Sequence, residues 1–183
     1  MNDRLGFAAI CVLLILGASG LMAAQIQDQD VESVNDAMLA DPPPDDWIHW
    51  RRTPDGWGYS PLDQITRENV GQLRMVWSWA MESGMQQTTP LVHNGVMYLA
   101  SPGNIVQALD ATTGELRWEY RRQFSTGRGR DRPNRSISIY ADKIFLNTAD
   151  AHLVALDVRT GEVVWDVEVA DPDKGFTFSS GSI

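Results

Sequence analysis

Between Arg121 and Arg135 the chain carries six arginines, Arg121, Arg122, Arg128, Arg130, Arg132 and Arg135, interleaved with Gly127, Gly129 and Pro133. Planar guanidinium forks on a loop of this kind suit bidentate capture of a carboxylate-rich ligand. The cluster stands against an overall charge of −9 over 183 residues, which argues against nucleic acid or an anionic membrane as a partner. Solvent is the expected surrounding of most of these side chains. His49, His93 and His152 lack metal-ligand spacing and read as structural. Cys11 is the single cysteine, so an internal disulfide or a thiolate cluster is excluded. Asn134-Arg135-Ser136 matches a glycosylation sequon, with no other feature in its support.

The elements that must position this loop are set by a repeat. Ala108–Trp118 reads ALDATTGELRW and Ala155–Trp165 reads ALDVRTGEVVW, 47 positions later (155 − 108). A period of that size signals stacked supersecondary units rather than one globular core. Within each copy Ala-Leu-Asp closes an apolar strand, Thr-Gly reverses the chain, and the residues up to Trp open the next strand. Asp110 and Asp157 are placed to accept backbone N–H groups across the turn, and Gly114 and Gly161 to take positive φ. Two apolar runs precede each copy: Thr89–His93 with Val96–Ser101, joined by Asn94-Gly95, and Ser136–Tyr140 with Lys143–Thr148. Each repeat therefore predicts four short antiparallel strands, which is an all-β propeller blade.

The pattern Ala-x-Asp-x-x-Thr-Gly-x-x-x-Trp resembles the tryptophan-docking motif of the quinoprotein dehydrogenases, the pyrroloquinoline quinone (PQQ) enzymes of the methanol and ethanol dehydrogenase type. A second match is the order Asp46-Trp47, Trp50-Arg51-Arg52, Gly58–Leu62, Gln64-Ile65, Asn69-Val70 and Leu73–Trp77, which resembles that family's approach to its first blade. The resemblance implies the N-terminal blades of an eight-bladed β-propeller, incomplete in this chain, with tryptophans packing near the glycine turns of neighbouring motifs. It further implies that Arg135, in Asn134-Arg135, pairs with a PQQ carboxylate. Gln87 stands where many members carry Glu and could donate its amide to the cofactor. Ser180, before Gly181, resembles the family's cofactor-contacting hydroxyl. Gly129 and Arg130 occupy the positions of a vicinal cysteine pair found in many members, a departure that removes that lid.

For the intact protein the resemblance implies oxidation of an alcohol, with electrons passed to a cytochrome c or a membrane quinone. A bound calcium or lanthanide ion is implied as Lewis acid. Its ligands and the catalytic Asp belong to later blades, so no catalytic or metal residue is assigned to this chain. The alternative is a non-catalytic propeller of the same repeat type, a protein-binding scaffold in the cell envelope. The Trp47–Trp77 segment and Asn134-Arg135 speak against it.

Residues 1–24 have the arrangement of a signal peptide, an apolar run ending in small residues, and the expected location is periplasmic; an uncleaved inner-membrane anchor is the alternative. Residues 25–46 are acidic and contain Pro42-Pro43-Pro44, with a turn or two of helix expected in Val31–Ala40 before the prolines stop it. They read as an arm against the propeller or as a solvated linker. Residues 47–183 are expected to form a partial propeller, with repeats at about 88–120 and 134–168 and a further blade beginning at 177. An eight-bladed ring at this period needs several hundred residues, so the expectation is an N-terminal fragment.

Overall fold

The computed structural model of the chain describes residues 31–124, 132–178 and 180–181. It is all-β, with two four-stranded antiparallel sheets in successive order. The first contains β1 (Leu91–His93), β2 (Val96–Ser101), β3 (Ile105–Asp110) and β4 (Leu116–Arg121); the second contains β5 (Ser138–Tyr140), β6 (Lys143–Asn147), β7 (His152–Asp157) and β8 (Val163–Glu168). Equivalent pairs open the two registers, Leu91 opposite Tyr98 and Ser138 opposite Phe145. A register shift falls between Ala108 and Leu109 in one sheet and between Ala155 and Leu156 in the other.

Turn chemistry explains the sheets locally. Asn94 and Gly95, at φ 49° and 72°, make the two-residue reversal whose twist matches the flanking strands. Asp110 Oδ1 accepts from the Thr112 and Thr113 N–H groups at 2.9 Å each, and Asp157 Oδ1 from Arg159 and Thr160 at 2.9 and 3.1 Å. Gly114 and Gly161 close these turns at φ 76° and 72°. The Arg117 hydrogen bond, with the turn's own N–H groups, holds the Asp110 carboxyl down at about 2.

Between the sheets, Tyr98, Ala100, Val106, Ala108 and Trp118 form one buried cluster with Ile144, Leu146, Val154 and Leu156. Its seam is the Trp118 indole, which donates from Nε1 to the Val158 carbonyl at 3.0 Å and lies against Gly161. Tyr98 is tilted against the same ring at a centroid distance of 5.9 Å and donates its hydroxyl to the same carbonyl.

Residues 31–46 form an arm on the sheets, not a linker. Helix α1 (Asp36–Ala40) is capped by Asn35 Oδ1, which accepts from the Ala37 and Met38 N–H groups. Val34 bridges to Ala141 and Trp47 to Val92. His93 is structural: its Nδ1 lies 2.7 Å from Asp46 and its Nε2 2.7 Å from the Glu32 carbonyl.

Three strand limits differ from expectation, and at each a polar group departs from the regular ladder pattern. β1 begins at Leu91, since the Thr89 N–H goes to the Arg135 carbonyl at 3.3 Å, and β5 begins at Ser138, after Ser136 has engaged Gly181. β6 ends at Asn147: Thr148 N–H still reaches the His152 carbonyl of β7, but the His152 N–H goes to the Thr148 hydroxyl at 3.0 Å and breaks the ladder pattern. Thr177, Phe178, Ser180 and Gly181 carry no strand. Instead, Phe178 N–H reaches the Thr148 carbonyl at 3.4 Å. The segment read as a signal peptide lies outside the described residues, as do Arg128, Arg130 and Gly129.

Candidate functional site

The three residues singled out from the sequence lie on the wall of one cavity of about 1080 Å3. Gln87 precedes β1, Arg135 precedes β5, and Ser180 follows β8, so each sits on an irregular segment beside a rigid sheet. Backbone and hydroxyl contacts join these segments. Thr89 N–H donates to the Arg135 carbonyl, and Gly181 N–H donates to Ser136 Oγ at 2.8 Å. Asn134, buried beside Arg135, donates its amide to the Asn147 carbonyl at the end of β6 at 3.2 Å.

A further part of the lining was not assigned from the sequence. It comes from the 48–56 loop, where Trp50, Arg51 and Asp55 line the cavity. The loop is pinned by the Trp47–Val92 bridge and by Arg52, whose Nη2 donates to the Pro42 carbonyl at 3.0 Å. The Arg51 guanidinium lies 4.9 Å from the Trp50 ring centroid. His49, whose Nε2 lies 2.8 Å from the Leu39 carbonyl, also lines this wall. Ile139, Phe145, Leu153 and Trp165 supply an apolar side. Trp165 packs against Phe145 at 5.9 Å and lines the cavity with it. Tyr140, at the rim, donates its hydroxyl to Asp36 at 2.9 Å, and that carboxylate pushes its phenol up.

Arg51 and Arg135 face one carboxylate, Asp55, in this lining, a local positive excess in a chain of charge −9. Around them, Gln87, Ser136, Ser138 and Ser180 offer an amide and hydroxyls. An anionic, oxygen-rich ligand is what such donors complement. Among the described residues no group of three His, Cys, Asp or Glu side chains could hold a metal ion.

Two other arginines of the cluster, Arg121 and Arg122, pair with protein carboxylates. Arg121 pairs with Glu82 at 2.7 Å and Glu119 at 2.5 Å. Arg122 is not solvated: its side chain is 8% exposed and bridges Asp150, at 3.0 Å, and Asp166 across the boundary between the sheets. His152 Nδ1 lies 2.6 Å from the same Asp166. Burial opposes charge on both carboxylates, yet Thr148 and Arg122 hold Asp150 below the usual carboxylate range, and Arg122 and His152 do the same for Asp166. Arg122 thus stitches the two sheets together, and Arg135 is the member of the cluster, among the described residues, that lines the cavity.

The family model for the β-propeller domain of PQQ glucose, ethanol and alcohol dehydrogenases matches residues 47–167. The chain belongs to this family. The dehydrogenase subunit of the alcohol dehydrogenase (quinone) of Gluconacetobacter polyoxogenes is 36% identical over 179 residues, covering 94% of this chain and 24% of the relative. The quinohemoprotein alcohol dehydrogenase ADHIIG of Pseudomonas putida HK5 superposes with a TM-score of 0.76 at 34% identity, over 82% of this chain and 23% of that one. A europium-containing methanol dehydrogenase superposes with a TM-score of 0.71 at 30% identity, over 80% and 27%. The chain thus spans about a quarter of each of these PQQ-family relatives.

Proposed function

We propose that the full-length protein is a PQQ-dependent dehydrogenase that oxidises an alcohol group in the periplasm and passes electrons to a cytochrome c or a membrane quinone. The observation that carries this is the convergence of Gln87, Arg135 and Ser180 on one cavity that holds two guanidinium groups and several neutral donors. Those residues fit the carboxylates of PQQ. In this reading Arg135 holds one of them as a charge-assisted pair, Gln87 donates its amide to the cofactor, and Ser180 donates a hydroxyl. When bound, PQQ supplies the two-electron chemistry, while the chain supplies position and charge. A calcium or lanthanide ion completes the site through residues outside those described. Relatives named as alcohol and methanol dehydrogenases support the reaction class.

Titration of the full-length protein with PQQ, in calcium and then in a lanthanide, tests the proposal. Wild type binds, and Arg135→Ala weakens binding about 100-fold or more, because removing one partner of a buried charge pair leaves the other uncompensated. Arg121→Ala, already paired with Glu82 and Glu119, changes affinity little. Failure of the wild type to bind PQQ with either ion overturns the reading in favour of a scaffold.

A further inference from the structure

Ser136 links the two halves of the cavity wall that carry Arg135 and Ser180. It follows Arg135 directly, lines the cavity itself, and its Oγ accepts the Gly181 N–H at 2.8 Å. Contact at this point is very close. A Cβ on Gly181 would fall 2.4 Å from the Ser136 carbonyl oxygen, 2.6 Å from Oγ and 2.8 Å from the carbonyl carbon. Residue 181 therefore has room for no side chain unless the backbone of Ser136 or Gly181 shifts. On its other flank the Arg135 carbonyl accepts Thr89 N–H at 3.3 Å, two residues beyond Gln87. Arg135-Ser136 is thus the junction through which the segments bearing Gln87 and Ser180 are both tied.

We infer that Ser136 is a positioning residue for the cofactor: its hydroxyl seats the 180–181 backbone and so aims Ser180 into the cavity beside Arg135. The inference rests on the PQQ reading above. Accepting from Gly181 uses a lone pair of the Ser136 hydroxyl, so its hydrogen is still free to donate toward the cavity. Ser180 lies on a segment with no strand of its own, and the bond to Ser136 supplies the order that a ladder gives elsewhere.

The test is a double-mutant cycle in the full-length protein, read as PQQ affinity by quenching of intrinsic tryptophan fluorescence, with no turnover required. Loss of one hydrogen bond predicts that Ser136→Ala raises Kd about 5- to 10-fold. Ser136→Thr keeps the oxygen and stays within about twofold of wild type. Gly181→Ala raises Kd by about 10-fold or more, since backbone must shift. Ser180→Ala weakens binding about fivefold alone but less than about twofold in the Ser136→Ala background, because the two act as one unit. Equal losses for Ser180→Ala in both backgrounds, or a threonine variant as weak as the alanine one, overturn the inference while leaving the PQQ reading intact. A wild type that binds no PQQ overturns both.

Discussion

The two glycine turns have the same local chemistry and different covers. At Gly161 the cover is Trp118, a β4 residue 8% exposed within the shared core. At Gly114 it is Trp77, a half-buried residue on an irregular stretch where Leu73, Met75 and Val76 are exposed. Each indole donates to the carbonyl three residues before the glycine, Trp118 to Val158 at 3.0 Å and Trp77 to Ala111 at 3.2 Å. The polar half of the contact is therefore repeated. What differs is the apolar half, because Trp118 has Tyr98 and a second sheet around it. An identical turn motif marks where a tryptophan can sit, and surrounding burial decides what the contact contributes.

The largest effect should come from deleting the better-buried ring. In the full-length protein Trp118→Ala should cost about 3 to 5 kcal/mol, the range for a large buried aromatic, and Trp77→Ala about 1 to 2 kcal/mol. Chemical denaturation measures both. Equal losses would break the comparison and show that the turn contact alone sets the energy.

Glycine replacements sharpen it. Gly161→Ala places a Cβ 2.4 Å from the Trp118 ring at φ +72°, which should cost about 3 kcal/mol from the left-handed backbone and the overlap together. Gly114→Ala meets Trp77 at 2.7 Å, but that less buried ring can shift, so about 2 kcal/mol is expected. Gly95→Ala is the control, with φ +72° and nothing within 4 Å, and should cost about 1 kcal/mol for the backbone alone. Melting temperatures that do not follow this order would separate backbone strain from ring contact in favour of strain.

The smallest effect concerns the charged stitch beside the same seam. Asp150 and Asp166 are held below the usual carboxylate range in the folded protein. Their contribution is therefore fully present above about pH 4, the unfolded value, and is lost as pH falls through the depressed folded values. Wild type should exceed Arg122→Gln in stability at neutral pH, with the gap closing below about pH 4. A gap that persists unchanged into acid would assign the role of Arg122 to packing rather than charge. Urea melts from neutral pH into acid give the readout.

Much of the fold was legible because its signals are short-range. Asp110 and Asp157 bond to N–H groups two and three residues away, and Asn94-Gly95 needs only its own backbone angles. Site residues were less legible. Arg135, Gln87 and Ser180 were found through family resemblance, and their common cavity brings together segments separated by nearly the whole described chain. Ser136, Trp50 and Arg51 gave no signal as site residues: Trp50 and Arg51 stood out only within the segment that resembles the family's approach to its first blade, and a serine after an arginine is ordinary in any loop. A pattern search for paired hydroxyl and glycine positions, Ser136 with Gly181, would have had no fixed spacing to follow.

Arg122 shows where the division lies. Its sequence neighbours place it in a basic loop, suited to an anionic ligand, whereas its partners Asp150 and Asp166 stand 28 and 44 residues away. By itself, the sequence determined the repeat, its turns, its strand pairing and the family, because periodicity and side chain to backbone bonds act over a few residues. Tertiary structure alone decided which ring covers which glycine, which arginine bridges the two sheets and which lines the cavity. Those outcomes depend on desolvation and on distances between segments that only the packing of one sheet on the next brings together.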